Sequence, residues 1–242
     1  MTKAKKVEST KLNKENRVPS GIPGLDKLIQ GGFIPGDVYL ITGGTGTGKT
    51  LFCCQFLLEG LKNNEPGIYF SLEELPEEVV HDAEAFGWDM KKYIDENKLA
   101  VEYQDPFEMV DLTTMVNEKI SQMGAKRVVI DSTSIFGMVF SSPSDLRKRL
   151  YELIKALKKT GAVVLMTAEV LEDAKGLSRY GVEEFVADGI IVLYYTGIGG
   201  EEGSNIEIRK MRRTKHARGY YSLEIGKNGL LVKEQSTSAL LR

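Results

Sequence analysis

The chain has 242 residues, 42% of them apolar, a formal net charge of -2 and two cysteines. That is enough apolar residue for a substantial core in one large domain or two small ones. The near-balance of charge argues against a dedicated nucleic-acid-coating protein. Cys53 and Cys54 are adjacent, which suits small core residues in a reducing cytoplasm rather than a disulfide framework. No secretory signal and no apolar run near 18 residues stands in the chain, so no membrane span is expected.

Met1 to Asn16 is lysine-rich and short of apolar residues, and reads as a flexible tail. One domain is expected over 17–234, with a polar tail over 235–242. Pro19 to Asp26 is a turn-rich lead-in to a short helix that stops at Gly31-Gly32, and Pro35-Gly36-Asp37 turns into the first core strand, Val38 to Ile41. Gly43-Gly44-Thr45-Gly46-Thr47-Gly48-Lys49-Thr50 follows, and Leu51 to Leu58 reads as a buried helix.

That stretch fits G-x-x-x-x-G-K-[ST], the phosphate-binding loop of nucleoside triphosphatases. Glycines let backbone N–H groups point inward, and a helix N-terminus adds positive potential. Gly43, Gly44, Thr45, Gly46, Thr47, Gly48, Lys49, Thr50 and Leu51 form the expected nucleotide-binding set. Lys49 is placed to reach the β/γ-phosphates and Thr50 to bind Mg²⁺.

Gly67 to Ser71 is a second strand, and Pro76-Glu77-Glu78 opens a helix with proline and acids in its first turn. Leu99 to Tyr103 is a third strand, Asp111 to Met123 an amphipathic helix, and Arg127 to Asp131 a buried strand. Ser142 to Asp145 has capping-box spacing before a helix with Leu146, Leu150, Leu153, Ile154 and Leu157 on one face. Ala162 to Met166 is another buried strand. This alternation predicts a mostly parallel sheet covered by helices on both faces. From Gly189 only strands follow: Ile190 to Tyr195, Asn205 to Met211, Tyr220 to Ile225 and Leu230 to Lys233, with turns at Gly197 to Gly203 and Asn228-Gly229. They predict an antiparallel extension of the same sheet.

Hydrolysis needs a metal-site carboxylate and a group that activates water. Asp131 closes an apolar strand at the carboxyl edge, where open α/β sheets bind ligands, and suits a Walker-B role; the alternative is a strand-end turn aspartate. Glu73-Glu74 follow the second strand at the same edge. One of them is a candidate base, or the pair is a solvated acidic turn. Thr167, Ala168 and Glu169 end the next strand, where a polar group could sense the γ-phosphate. Strict alternation extends the Ile206 and Ile208 face to Lys210 and Arg212. Those cations either meet an anion or an interface, or are solvated charges at a fraying strand end. His216 by itself reads as an ordinary histidine.

Taken in order, these segments resemble the KaiC-like branch of the RecA superfamily of ATPases, over nearly the whole chain. The resemblance rests on Ser20 to Asp26, Gly31-Gly32-Phe33, the phosphate loop, Ser71-Leu72-Glu73-Glu74, Val129-Ile130-Asp131, Val182 to Asp188, and Lys210-Met211-Arg212 with Thr214 and His216. It implies a RecA-like fold, binding of ATP or ADP with Mg²⁺, and catalytic glutamates at Glu73 and Glu74. It also implies that Lys210, Arg212 and His216 reach a nucleotide held by the neighbouring subunit, hence a homohexameric ring acting as a nucleotide-driven switch on an unidentified protein partner. Single-domain relatives are common in archaea, so an archaeal source is the expectation. Val182-Glu183-Glu184-Phe185 stands where the clock protein's second domain carries an adjacent Ser-Thr phosphorylation pair, which speaks against autophosphorylation there and against a clock role. The alternative is a recombinase-like ATPase whose loops Phe136 to Ser144 and Glu172 to Gly181, with Phe140, Lys175, Arg179 and Tyr180, face single-stranded DNA. A third reading is a nucleotide-gated scaffold that hydrolyses little.

Overall fold

The computed structural model describes residues 17–105, 112–140, 142–171, 176–195 and 203–236. Within them one sheet of nine strands runs β3-β2-β4-β5-β1-β6-β7-β8-β9. The strands are β1 (Val38–Gly43), β2 (Gly67–Ser71), β3 (Leu99–Tyr103), β4 (Arg127–Asp131), β5 (Val163–Glu169), β6 (Gly189–Tyr195), β7 (Ser204–Met211), β8 (Tyr220–Gly226) and β9 (Gly229–Ser236). β3 through β6 in that spatial order pair in parallel. β7, β8 and β9 add an antiparallel meander.

The helices are α1 (Leu25–Leu28), α2 (Lys49–Lys62), α3 (Pro76–Glu84), α4 (Met90–Asp95), α5 (Leu112–Met123), α6 (Phe136–Val139), α7 (Pro143–Thr160) and α8 (Glu183–Val186). They split the core in two. On one face Phe52, Phe56 and Leu57 of α2 pack with the lead-in, Val79 and Met90. On the other, Val116 and Ile120 of α5 pack with Leu146, Leu150, Leu153 and Leu157 of α7. Buried strands that are apolar throughout are what a sheet covered on both faces requires.

Local signals place most boundaries. Ser142 caps α7, its hydroxyl accepting from the Asp145 N–H at 3.1 Å, and Gly161 ends that helix in the left-handed conformation. α2 starts inside the loop motif, at Lys49, two residues before the expected Leu51. β5 runs on to Glu169, and β9 reaches Ser236, two residues into the segment expected as a tail. Asp111 and the expected turn over 197–202 lie outside the described residues.

The meander is tied to the loop-bearing helix. Gln55 of α2 donates to Gly21 O at 2.9 Å and Leu230 O at 3.1 Å, and accepts from Leu230 N at 2.7 Å. Gly229 lies against that clamp with φ +104, and a Cβ there would stand 2.4 Å from both Gln55 Oε1 and Trp88 Cζ2. Gly229→Ala is therefore expected to destabilise the chain by about 1–3 kcal/mol through overpacking and backbone strain. A urea midpoint unchanged from the parent would contradict this packing account.

Candidate nucleotide site

The loop turns where β1 ends at Gly43, and Gly48 caps α2 with φ 92, a left-handed conformation that glycine adopts without strain. β1 lies between β5 and β6, and the carboxyl ends of β1, β2, β4 and β5 all open on the same edge. There Lys49, Thr50, Glu73, Glu74, Asp131 and Glu169 line one cleft of about 150 Å³. A second groove of about 360 Å³, lined by Leu51, Ala83, Phe86 and Ile225 with Asp82, adjoins the loop at Gly46 and Gly48. A small polar cleft beside a larger, more apolar groove suits a triphosphate and its nucleoside.

Lys49 Nζ donates to Gly43 O at 3.2 Å and Gly44 O at 2.8 Å. Burial lowers its pKa, opposed by Glu169, Asp131 and Glu73. Thr50 Oγ1 donates to Asp131 Oδ2 at 3.2 Å. The Tyr69 hydroxyl donates to the same carboxylate oxygen and the Thr167 hydroxyl to the other. The peptide between Asp131 and Ser132 is cis. Three hydroxyls thus fix the carboxylate beside Thr50, and this hard-oxygen pair fits a Mg²⁺ ion that keeps several of its own waters.

Ser132 Oγ donates to Glu73 Oε1 at 3.2 Å. Desolvation raises the Glu73 pKa, the Ser132 bond lowers it, and Glu169 and Asp131 raise it further. The Glu74 pKa is raised too, first by burial and then by Asp131, Asp82, Glu78 and Glu73. The Glu74 backbone is held by Ser71, whose hydroxyl accepts from Glu74 N at 3.0 Å.

The loop, Glu73, Glu74 and Asp131 therefore meet in space. Lys210, Arg212 and His216 do not join them. β7 runs antiparallel to β6, so its end pairs with the start of β6, at the opposite sheet edge. The two edges are separated by β1, a strand of 6 residues, or about 16 Å at the usual rise.

The strict alternation expected for β7 also fails. Ile208 pairs with Ile191 and Lys210 with Ile190, which leaves Arg209 as the extra residue of a bulge. Met211, not Lys210, returns to the core of Ile206 and Ile208. Lys210 turns toward α8, where Nζ donates to Glu184 O at 3.1 Å and Ala187 O at 2.7 Å. His216 Nδ1 lies 2.8 Å from Ala217 O. A carbonyl only accepts, so Nδ1 carries the proton.

Some site residues escaped the sequence reading. Tyr69 lies inside an unbroken apolar run, so nothing in the pattern marks its hydroxyl. Ser132, next to Asp131, was legible by position alone. Of the loops considered for DNA, Lys175 lies outside the described residues. Phe140 packs against the α5–α7 core, the Tyr180 ring lies against Gly137, and Arg179 is 3.9 Å from Glu169. Among the described residues no helix is long and apolar enough to cross a membrane.

A sequence profile described as "ATPase: KaiC" matches residues 18–237. The circadian clock oscillator protein KaiC of Synechococcus elongatus is 36% identical over 222 residues, 87% of this chain and 43% of that protein. KaiC of Prochlorococcus marinus is 33% identical over 241 residues, 95% of this chain and 47% of that protein. The chain thus spans about half the length of these relatives. A crystal structure of a KaiC-like protein from the archaeon Pyrococcus horikoshii superposes with a TM-score of 0.82 at 39% identity, covering 90% of this chain and 99% of that one. Phosphate loop, carboxylate cleft, sheet order and whole-domain similarity together make this chain a member of the KaiC family of ATPases.

Proposed function

We propose that the chain is an ATP-hydrolysing subunit of a homo-oligomeric ring, a hexamer, whose nucleotide state controls a protein partner. One observation carries the reading. Lys49, Thr50, Asp131 and the two glutamates share a cleft, whereas Lys210, Arg212 and His216 sit at the far sheet edge. Cations that cannot reach their own chain's phosphates suit a head-to-tail neighbour, and a rotation that closes makes a ring.

In this reading the loop N–H groups and Lys49 hold the phosphates of ATP. Thr50 and Asp131 would hold Mg²⁺, which would supply charge neutralisation to the bound phosphates. Glu73 or Glu74 accepts a proton from the attacking water. Arg212 and Lys210 of the adjacent subunit offset the charge that develops on the transferred phosphoryl group. Leu51 and the Phe86–Ile225 groove receive the nucleoside. A cytoplasmic setting fits the two buried free thiols, Cys53 and Cys54.

Mixing experiments test the assignment in trans. Arg212→Ala alone is expected to lose about 10³-fold or more in turnover while still binding ATP. Lys49→Ala alone is expected to be inactive. Mixed rings would place an intact Arg212 beside an intact loop and recover part of the activity. Mixed oligomers with no recovery would sink the trans role and leave the cleft assignment standing.

A further inference from the structure

The edge of the sheet opposite the phosphate loop holds two buried carboxylates, Asp37 and Asp188, 2% and 1% exposed. Four cations stand near them, and within the single subunit three of these have close partners. Arg213 pairs with Asp37. Lys210 is held by the two α8 carbonyls. Lys158, in the last turn of α7, sits 2.8 Å from each oxygen of Asp188.

Arg212 is different. Its backbone N–H donates to Asp188 O at 2.9 Å, which fixes where its side chain starts. Its guanidinium makes one long contact, NH1 to Asp188 Oδ1 at 3.5 Å, and the side chain is 53% exposed. It borders a groove of about 640 Å³ between α7 and α8, lined also by Arg147, Lys148, Lys155 and Lys158 and, among the described residues, by no carboxylate. A groove of this charge attracts an anion from outside the subunit.

A carboxylate is the natural bidentate partner of a guanidinium, and a buried one binds it strongly. Asp188 is held close by backbone on both sides, since its Oδ2 accepts from Val38 N at 3.2 Å and its N–H donates to Val38 O at 2.8 Å. It cannot withdraw from Arg212. What keeps Arg212 from being captured is Lys158, which already occupies both oxygens.

We propose that Lys158 is a positioning residue for catalysis: by neutralising Asp188 it leaves the Arg212 guanidinium free to meet the phosphate of the next subunit. This rests on the reading of Arg212 as acting in trans. It adds a residue on α7 to that reading, and a reason why an arginine beside a buried aspartate remains available. Lys158 also borders that groove, and its part in this proposal is played through Asp188.

Steady-state ATP turnover of the assembled protein tests it. Lys158→Met keeps the apolar stem and removes the charge. Asp188 then pairs with Arg212, and kcat is expected to fall about 10- to 100-fold, the equilibrium weight of one charged bidentate pair, with KM for Mg–ATP within about twofold of the parent. Adding Asp188→Asn removes the captor, and the double variant is expected to turn over faster than Lys158→Met alone. A purely structural ion pair predicts the reverse, since the second substitution would add damage. Lys158→Arg keeps the charge and is expected to retain activity. If Lys158→Met does not assemble, Lys158→Gln carries the same expectation.

Parental kcat in an assembled Lys158→Met, or a double variant no faster than the single, overturns the proposal. The two readings separate cleanly. Full turnover by Arg212→Ala would remove the trans assignment and this proposal together. An inactive Arg212→Ala with a fully active Lys158→Met would remove the proposal alone.

Discussion

Glu73→Gln is expected to lower ATP turnover by about 10²–10⁴-fold, the usual contribution of a positioned general base, with nucleotide binding close to that of the parent. Both glutamates line the cleft, but their surroundings differ. Glu73 is oriented by Ser132 and feels Glu169, Asp131 and Lys49, the groups around the phosphate end. The Glu74 pKa is raised by burial and by Asp131, Asp82 and Glu78, the last two on α3, and no side-chain partner among the described residues orients it toward the phosphate end as Ser132 orients Glu73. Glu74→Gln is accordingly expected to have the smaller effect. Single-turnover phosphate release, with nucleotide binding followed separately, distinguishes the two. A Glu73→Gln variant at parental turnover would remove Glu73 from the chemistry.

The pH dependence carries a definite sign. Burial chiefly raises the Glu73 pKa, and the Ser132 bond opposes that. A base acts when deprotonated, so turnover rises as pH climbs through the raised value and is lost as pH falls through it. The acid limb should therefore lie above the ordinary carboxylate range. Ser132→Ala removes the bond that favours the ionised form, so it should move that limb to still higher pH. A limb that stays put, or moves down, would show that Glu73 does not set it.

Arg127→Met should destabilise the chain from outside the cleft. Arg127 opens β4 and is 1% exposed. Its Nε donates to Glu65 at 2.7 Å, and NH1 donates to Pro19 O at 2.8 Å and Phe56 O at 2.9 Å. The guanidinium also lies 4.7 Å from the Phe56 ring centroid. One side chain thus ties the lead-in, α2 and β4 together behind the phosphate loop. Methionine fills similar space but leaves Pro19 O without its Arg127 partner and Phe56 O with its helix bond alone. Glu65, on the surface side, can rehydrate. The expected loss is about 1–3 kcal/mol, or roughly 2–12 °C in Tm for a chain of this size. Urea unfolding of the nucleotide-free protein measures it directly. A loss under about 1 kcal/mol would mean that water replaces Arg127 at both carbonyls.

The nucleotide loop and the carboxylate edge were legible because their signals are local. A glycine-rich turn between an apolar strand and a helix has few other uses, and Asp131 and Glu73-Glu74 follow strands whose carboxyl ends must share one edge of a parallel sheet. The cap at Ser142 and the leucine face of α7 are local in the same way. The switch to an antiparallel meander after Gly189 was visible as a change of rhythm. So the amino-acid order by itself determined the fold class, the loop, and the residues at its edge of the sheet.

Tertiary structure alone decided the rest. Period-two alternation put Lys210 and Arg212 on the face of Ile206 and Ile208, and a bulge at Arg209 gave that face to Met211 instead. A bulge is set by the partner strand and is not visible in the alternation of one strand. Tyr69 and Thr167 converge with Thr50 on Asp131 from different strands, and an unbroken apolar run hides which hydroxyl reaches inward. The sharing of Asp37 and Asp188 among Lys158, Arg212 and Arg213 joins the residues just before β1 and β6 to α7 and to the residues just after β7. Sequence spacing carries the pattern within an element; which charge meets which is decided by the long-range packing that brings those elements to one edge.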